Sequence, residues 1–134
     1  MSKAIRVRNH MTRSPHFLEV GSSLSDAHHL MREHGFRHLP VVDQGRLVGV
    51  ISVHDLHLME TFEGVDPSSV PVEDAMSRDV FTVSLNAPLA RTVREMAERK
   101  IGSAVVLEEN DSIVGMLTTT DAMMALADLL EELS

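Results

Sequence analysis

Cysteine, tryptophan and tyrosine are absent from this chain of 134 residues, and four phenylalanines are all that is left of the large aromatics. Without cysteine there is no disulfide, no thiolate nucleophile, no Cys-ligated zinc and no iron–sulfur cluster. With so few rings to stack on bases, and a formal net charge of -8 opposing counterion release, the composition argues against a nucleic-acid partner. Long apolar runs are missing too. The longest, Ala122 to Ala127, is far below what a bilayer span requires. Met1 to Arg8 carry no apolar stretch of the signal-peptide kind, so the expected compartment is the cytoplasm, away from any membrane.

What is present suits a folded protein: 43% hydrophobic and 24% charged residues, at a length that predicts one globular unit with one core. Charge is uneven, with 7 basic and 8 acidic side chains in residues 1–67 against 5 and 12 in residues 68–134. Lys3, Arg6, Arg8 and Arg13 form a basic start, read as a solvated terminus. All eight histidines lie between His10 and His57.

The chain repeats itself. Met11-Thr-Arg-Ser matches Met76-Ser-Arg-Asp, Leu24 matches Leu89, Met31 matches Met96, and Leu39-Pro-Val-Val matches Ala104-Val-Val-Leu, all 65 residues apart. Gly49 and Gly115 stand 66 apart, the extra residue falling in the polar turn Glu108-Glu-Asn-Asp-Ser. Each copy opens on a short extended piece (16–20; 80–84), followed by helical spacing at Leu24, Ala27, Leu30 and Met31 or at Leu89, Val93, Met96 and Ala97, ending near Gly35 or Gly102. A hairpin follows (38–43 with 46–52; 103–108 with 112–118), then a closing helix over 53–62 or 119–133. The unit is β-α-β-β-α, an α/β (α+β) fold of small mixed sheets flanked by helices. The boundaries read as repeat 1 over 7–63, a turn-rich linker over 64–71, and repeat 2 over 72–133.

On these features the chain resembles a tandem pair of CBS domains, the nucleotide-sensing arrangement called a Bateman module, over about Val7 to Ala127. The resemblance rests on the Met-Thr and Met-Ser starts, the Leu39-Pro-Val-Val-Asp strand, and a repeated Gly-x-x-Ser/Thr-x-x-Asp. The last reads Gly49-Val-Ile-Ser-Val-His-Asp and Gly115-Met-Leu-Thr-Thr-Thr-Asp. It implies two repeats packed with pseudo-twofold symmetry around shared clefts. It further implies a non-catalytic regulatory module for adenosine-containing ligands, namely AMP, ADP, ATP, NAD or S-adenosylmethionine. No cofactor is then required beyond the regulatory nucleotide. A homodimer is expected. Two alternatives stand beside this: a ligand-free structural dimerisation module, and a signalling subunit acting on a separate effector protein, since no effector domain is recognisable in the sequence.

The junction after the last strand of each copy admits two readings. Ser52 with Asp55, and Thr118 with Asp121, fit a capping box. The same helix start, with its free amides, attracts phosphate, while the Asp can accept hydrogen bonds from a ribose diol. The resemblance implies the second reading, and adds Val80 and Thr82 near the adenine, and Arg37, His38 and Ser103 ahead of the second strand. Copy one has Phe17 where copy two has Thr82, so the expectation is that Asp121→Ala weakens nucleotide binding more than Asp55→Ala. Histidines at 28, 29, 34 and 38, and the pair His54 and His57, read as surface or cleft residues and not as a metal site. Met31, Met59, Met96, Met116, Met123 and Met124 are expected to fill core gaps. Ser52 near His54 is the one local nucleophile–base pair and has poor geometry for catalysis, so no enzyme activity is expected.

Overall fold

The computed structural model describes residues 5–14 and 16–134. They form two compact units, each with its own core, in place of the single core expected from length. Each repeat supplies a complete amphipathic set and closes around its own apolar cluster. The units are not coextensive with the sequence repeats: one is His16–Val80, and the other joins the N-terminal segment, described from Ile5 to Ser14, to Phe81–Ser134.

In the unit His16–Val80, strand β2 (Leu18–Glu19) lies parallel to β3 (His38–Asp43), and β3 pairs antiparallel with β4 (Arg46–Ser52). Between β2 and β3 runs helix α1 (Leu24–His34), and helix α2 (Val53–Glu60) follows β4. The β3–β4 turn places both Gln44 (φ 50) and Gly45 (φ 81) in the left-handed region, the geometry whose twist matches paired strands. Helix α1 starts at a capping box, with the Asp26 amide donating to the Ser23 hydroxyl at 3.0 Å and the Ser23 amide donating to Asp26 at 3.0 Å. It stops at left-handed Gly35. Its Leu24, Ala27 and Met31, one face at helical spacing, meet Leu39, Val41, Ile51, Leu56 and Val72 in the core.

The segment 64–71 is more than a connector. Val70 and Pro67 carbonyls accept the Leu24 and Ser25 amides at 2.9 and 3.0 Å, and the Val72 amide donates to Ser22 at 2.7 Å. Amides that the start of α1 leaves without an intrahelical partner are thereby satisfied. In the same segment Asp66 accepts the Ser68 hydroxyl and amide, which holds its carboxyl below the usual range.

In the other unit, β5 (Thr82–Ser84) lies parallel to β6 (Ser103–Leu107), β6 pairs antiparallel with β7 (Ile113–Thr118), and β1 (Thr12–Arg13) adds antiparallel to β7. Helix α3 (Leu89–Arg99) ends three residues before Gly102. Lys100 takes the left-handed cap (φ 55), and the Ile101 amide closes the turn on Met96 at 3.0 Å. Helix α4 (Thr119–Leu133) has the expected bounds. Val7, Leu89, Met96, Ala104, Val106 and Leu117 form this core.

The Met-Thr and Met-Ser starts do not extend into their own repeats. Thr12 and Arg13 stand opposite Met116 and Gly115, while Ser77 exchanges both backbone hydrogen bonds with Val50, at 2.8 and 3.0 Å. Both glycines of the repeated motif make room for this. A Cβ on Gly115 would stand 2.2 Å from the Thr12 carbonyl oxygen, and one on Gly49 would stand 2.5 Å from Met76 Sδ.

Met123 and Met124 do not fill core gaps; they are 70% and 59% exposed. Helix α4 buries none of its residues fully: Ala125 packs against the core half-buried, while Leu126, Leu129, Leu130 and Leu133 stay exposed. Among the described residues no helix is long and apolar enough to cross a membrane.

Candidate functional site

Each unit ends its antiparallel pair at the same junction, and chain direction brings the same elements to it. In the unit His16–Val80, β3–β4 register sets His38 opposite Ser52, and the Arg37 carbonyl accepts the Val53 amide at 2.9 Å. Ser103 likewise stands opposite Thr118, and the Gly102 carbonyl accepts the Thr119 amide at 3.1 Å. The capping box is real at both. Asp55 and Asp121 amides donate to the Ser52 and Thr118 hydroxyls at 3.1 and 3.2 Å, and each carboxylate accepts its N-cap amide at 2.8 and 2.9 Å. The first-turn amides are therefore not all free to meet an anion, as the sequence reading supposed. In α2, those of Val53 and Asp55 are taken, which leaves the His54 amide beside the Ser52 hydroxyl.

The two junctions differ in what they leave unused. A carboxylate offers about four lone-pair sites. Asp121 spends three: Oδ2 accepts the Thr118 amide and hydroxyl at 2.9 and 3.1 Å, and Oδ1 accepts the Thr12 hydroxyl at 2.9 Å. Asp55 spends one, Oδ2 on the Ser52 amide. The Ser52 hydroxyl accepts from Asp55 and keeps its own proton, whereas the Thr118 hydroxyl gives its proton to Asp121. The exposed Arg37 has no side-chain partner among the described residues. Sequence counting favoured the second junction because it has Thr82 and Thr118; the first keeps more unspent hydrogen-bonding capacity.

Thr82 is exposed on β5 opposite Val105, and Phe81 beside it lies under the Arg99 guanidinium at 4.9 Å. Val80, half-buried, belongs to the unit His16–Val80 and Thr82 to the other. Phe17, at the position matching Thr82, is 45% exposed. The rings of His16 and His34 stack at 4.1 Å, with Phe36 at 5.4 Å from His34, one residue from Arg37. Sequence reasoning missed this ring cluster because His16 and His34 come together only through the fold. His28 pairs with Glu60 and has the His57 ring 6.2 Å away. Among the described residues, no group of three or more His, Asp or Glu is arranged to hold a metal.

Comparison with known proteins assigns this architecture. The CBS domain family model matches residues 7–58 and again 72–128. The chain belongs to the CBS domain family. The CBS pair is 34% identical to AcuB of Vibrio cholerae, with a TM-score of 0.79 over 96% of this chain and 95% of that one. It is 25% identical to CBSX2, solved in complex with AMP, with a TM-score of 0.74 over 92% of this chain and 97% of that one. Among curated proteins it is 32% identical to the uncharacterised protein MJ1225 of Methanocaldococcus jannaschii over 127 residues, 87% of this chain. It spans 27% of the first curated relative it matches, MJ1232 of the same organism, and 45% of MJ1225.

Proposed function

We propose that this CBS pair is a non-catalytic regulatory module, at work in the cytoplasm, that binds an adenosine-containing ligand at its strand-to-helix junctions and passes occupancy to a partner. The observation that carries the proposal is the Ser52–Asp55 junction: an unspent carboxylate oxygen, an unspent hydroxyl proton and an unpaired guanidinium at Arg37. Asp55 has the capacity to accept a ribose diol, while Ser52 and Arg37 supply phosphate donors of the charge-assisted kind. His38 opposite Ser52 adds a second cation when protonated. Val80, Thr82 and Ser103 are the further proposed contacts, with Thr118 and Asp121 in the second junction. The AMP-bound CBSX2 supports the choice of an adenine nucleotide.

Thermal-shift screening with AMP, ADP, ATP, NAD and S-adenosylmethionine tests this. A ligand at 100 times its dissociation constant adds about 2.7 kcal/mol, a rise of several degrees; no shift with any of the five refutes the assignment. Protonation of His38 adds a positive charge opposite Ser52, so nucleotide affinity is expected to rise as pH falls from 8 to 6. A flat profile, or one unchanged by His38→Ala, removes His38 from the site.

The second element is self-association. Leu126, Leu130 and Leu133 on α4 are 55%, 54% and 76% exposed, and a groove of about 530 Å³ opens between α3 and the start of α4, lined by Val93, Met96, Ala97, Ile101 and Met123. Leaving this much apolar surface in water is costly. A homodimer that covers α4 is the expected state, with the partner effector acting on the dimer. Sedimentation at tens of micromolar reads it directly: a single species of 14.8 kDa means that α4 is not a dimer interface.

A further inference from the structure

We propose that Thr12 is an internal latch on the second junction, holding the acceptor on Asp121 that a ligand hydroxyl would need. The inference rests on the reading of these junctions as nucleoside-binding and concerns which of them is open in the free protein.

The latch is built from backbone upward. Gly115, buried in β7, has no side chain, so the Thr12 carbonyl oxygen comes to within 2.2 Å of where a Cβ would stand. With Thr12 opposite Met116 and the Ser14 amide bonded to Val114 at 3.0 Å, β1 is held along the edge of β7. From there the Thr12 hydroxyl donates to Asp121 Oδ1 at 2.9 Å, across 109 residues of sequence. The Thr118 amide and hydroxyl already occupy Oδ2. One acceptor site of about four is then left on Asp121, and a cis-diol donating two hydrogen bonds needs two. When Thr12 turns its hydroxyl away, Oδ1 is free of protein donors and a ribose diol can dock there.

The other unit lacks this contact. Ser77 matches Thr12 in the repeat and exchanges two backbone hydrogen bonds with Val50, yet its hydroxyl makes no bond to Asp55. One junction is open and the other latched, which makes the CBS pair a sequential binder: the Ser52–Asp55 site fills first, and the Thr118–Asp121 site fills at higher ligand concentration.

Calorimetry with AMP on the full chain carrying Asp55→Ala reads the second junction alone. Adding Thr12→Val keeps the branched strand residue and removes the hydroxyl; it is expected to tighten AMP binding about tenfold, the scale of one hydrogen bond to a charged group. Thr12→Ser, which retains the hydroxyl, is expected to titrate like the Asp55→Ala parent. Should the Val variant melt early, Thr12→Ala takes its place with the same expectation. An affinity unchanged or weakened on loss of the hydroxyl overturns the latch, and so does a gain that Thr12→Ser shares. If the unaltered chain binds no adenine nucleotide, the nucleoside reading fails and the latch falls with it.

Discussion

Gly115→Ala is expected to cost about 3 kcal/mol of stability, at the upper end of the usual range for overpacking a filled site. The new Cβ would stand 2.2 Å from the Thr12 carbonyl oxygen and 3.2 Å from both the Thr12 carbonyl carbon and Arg13 Cα. These are backbone atoms in a paired strand, so no rotamer change relieves the clash. Either β1 lifts off β7, losing the Ser14–Val114 bond and the Thr12–Asp121 bond, or β7 is pushed into the core behind it. Gly49→Ala occupies the matching place in the other unit and is expected to cost less, about 1 to 2 kcal/mol. Its nearest obstacle is Met76 Sδ at 2.5 Å, on a flexible side chain that can swing away, with the Ser77 carbonyl oxygen at 2.9 Å the remaining strain. Urea unfolding of the two variants, compared through their midpoints, checks the order. A Gly49 variant as damaged as the Gly115 variant would show that the approach of the Met-Thr segment is not what the glycine serves.

These glycines also mark where sequence reading worked and where it stopped. The hairpins, the capping boxes and the bounds of α4 were legible because each depends on residues close in the chain: a two-residue turn at Gln44-Gly45, an Asp three positions after Ser52 or Thr118. The repeated glycines were visible as a motif, but the reason for them was not. That reason is a strand 103 residues earlier for Gly115, and nothing local to Thr12 says that it pairs with β7 and not with its own repeat. The linker 64–71 was read as a connector because its Gly and Pro content signals turns, which says nothing about the amides of α1 it satisfies. Met123 and Met124 were assigned to a core on residue type, and the fold leaves both exposed on α4 while Ala125 is the residue that packs against the core. At the two junctions the capping residues were legible, and the hydrogen bonds their side chains already spend were not. Counting Thr82 and Thr118 as donors could not reveal that Thr118 spends its proton on Asp121.

That difference in availability separates two variants that look alike in sequence. Asp55→Ala is expected to weaken AMP binding by about 10- to 100-fold, the loss of hydrogen bonds to a charged acceptor worth about 1.5 to 3 kcal/mol. Its effect on stability is limited to one side of a capping box, about 1 kcal/mol, because Asp55 holds only the Ser52 amide. Asp121→Ala is expected to do the reverse. It removes three hydrogen bonds, from the Thr118 amide, the Thr118 hydroxyl and Thr12, and so lowers stability more than Asp55→Ala does. It costs less than about threefold in AMP affinity, since a carboxylate already bonded within the protein has little left to offer a ligand. Calorimetry and thermal melts on the same two proteins give both coordinates. A larger affinity loss for Asp121 restores the ranking expected from sequence and removes the latch at Thr12. Equal losses make the junctions equivalent, and no loss in either reduces both aspartates to helix caps, since a residue that only caps α2 or α4 changes the melt and leaves the titration where it was.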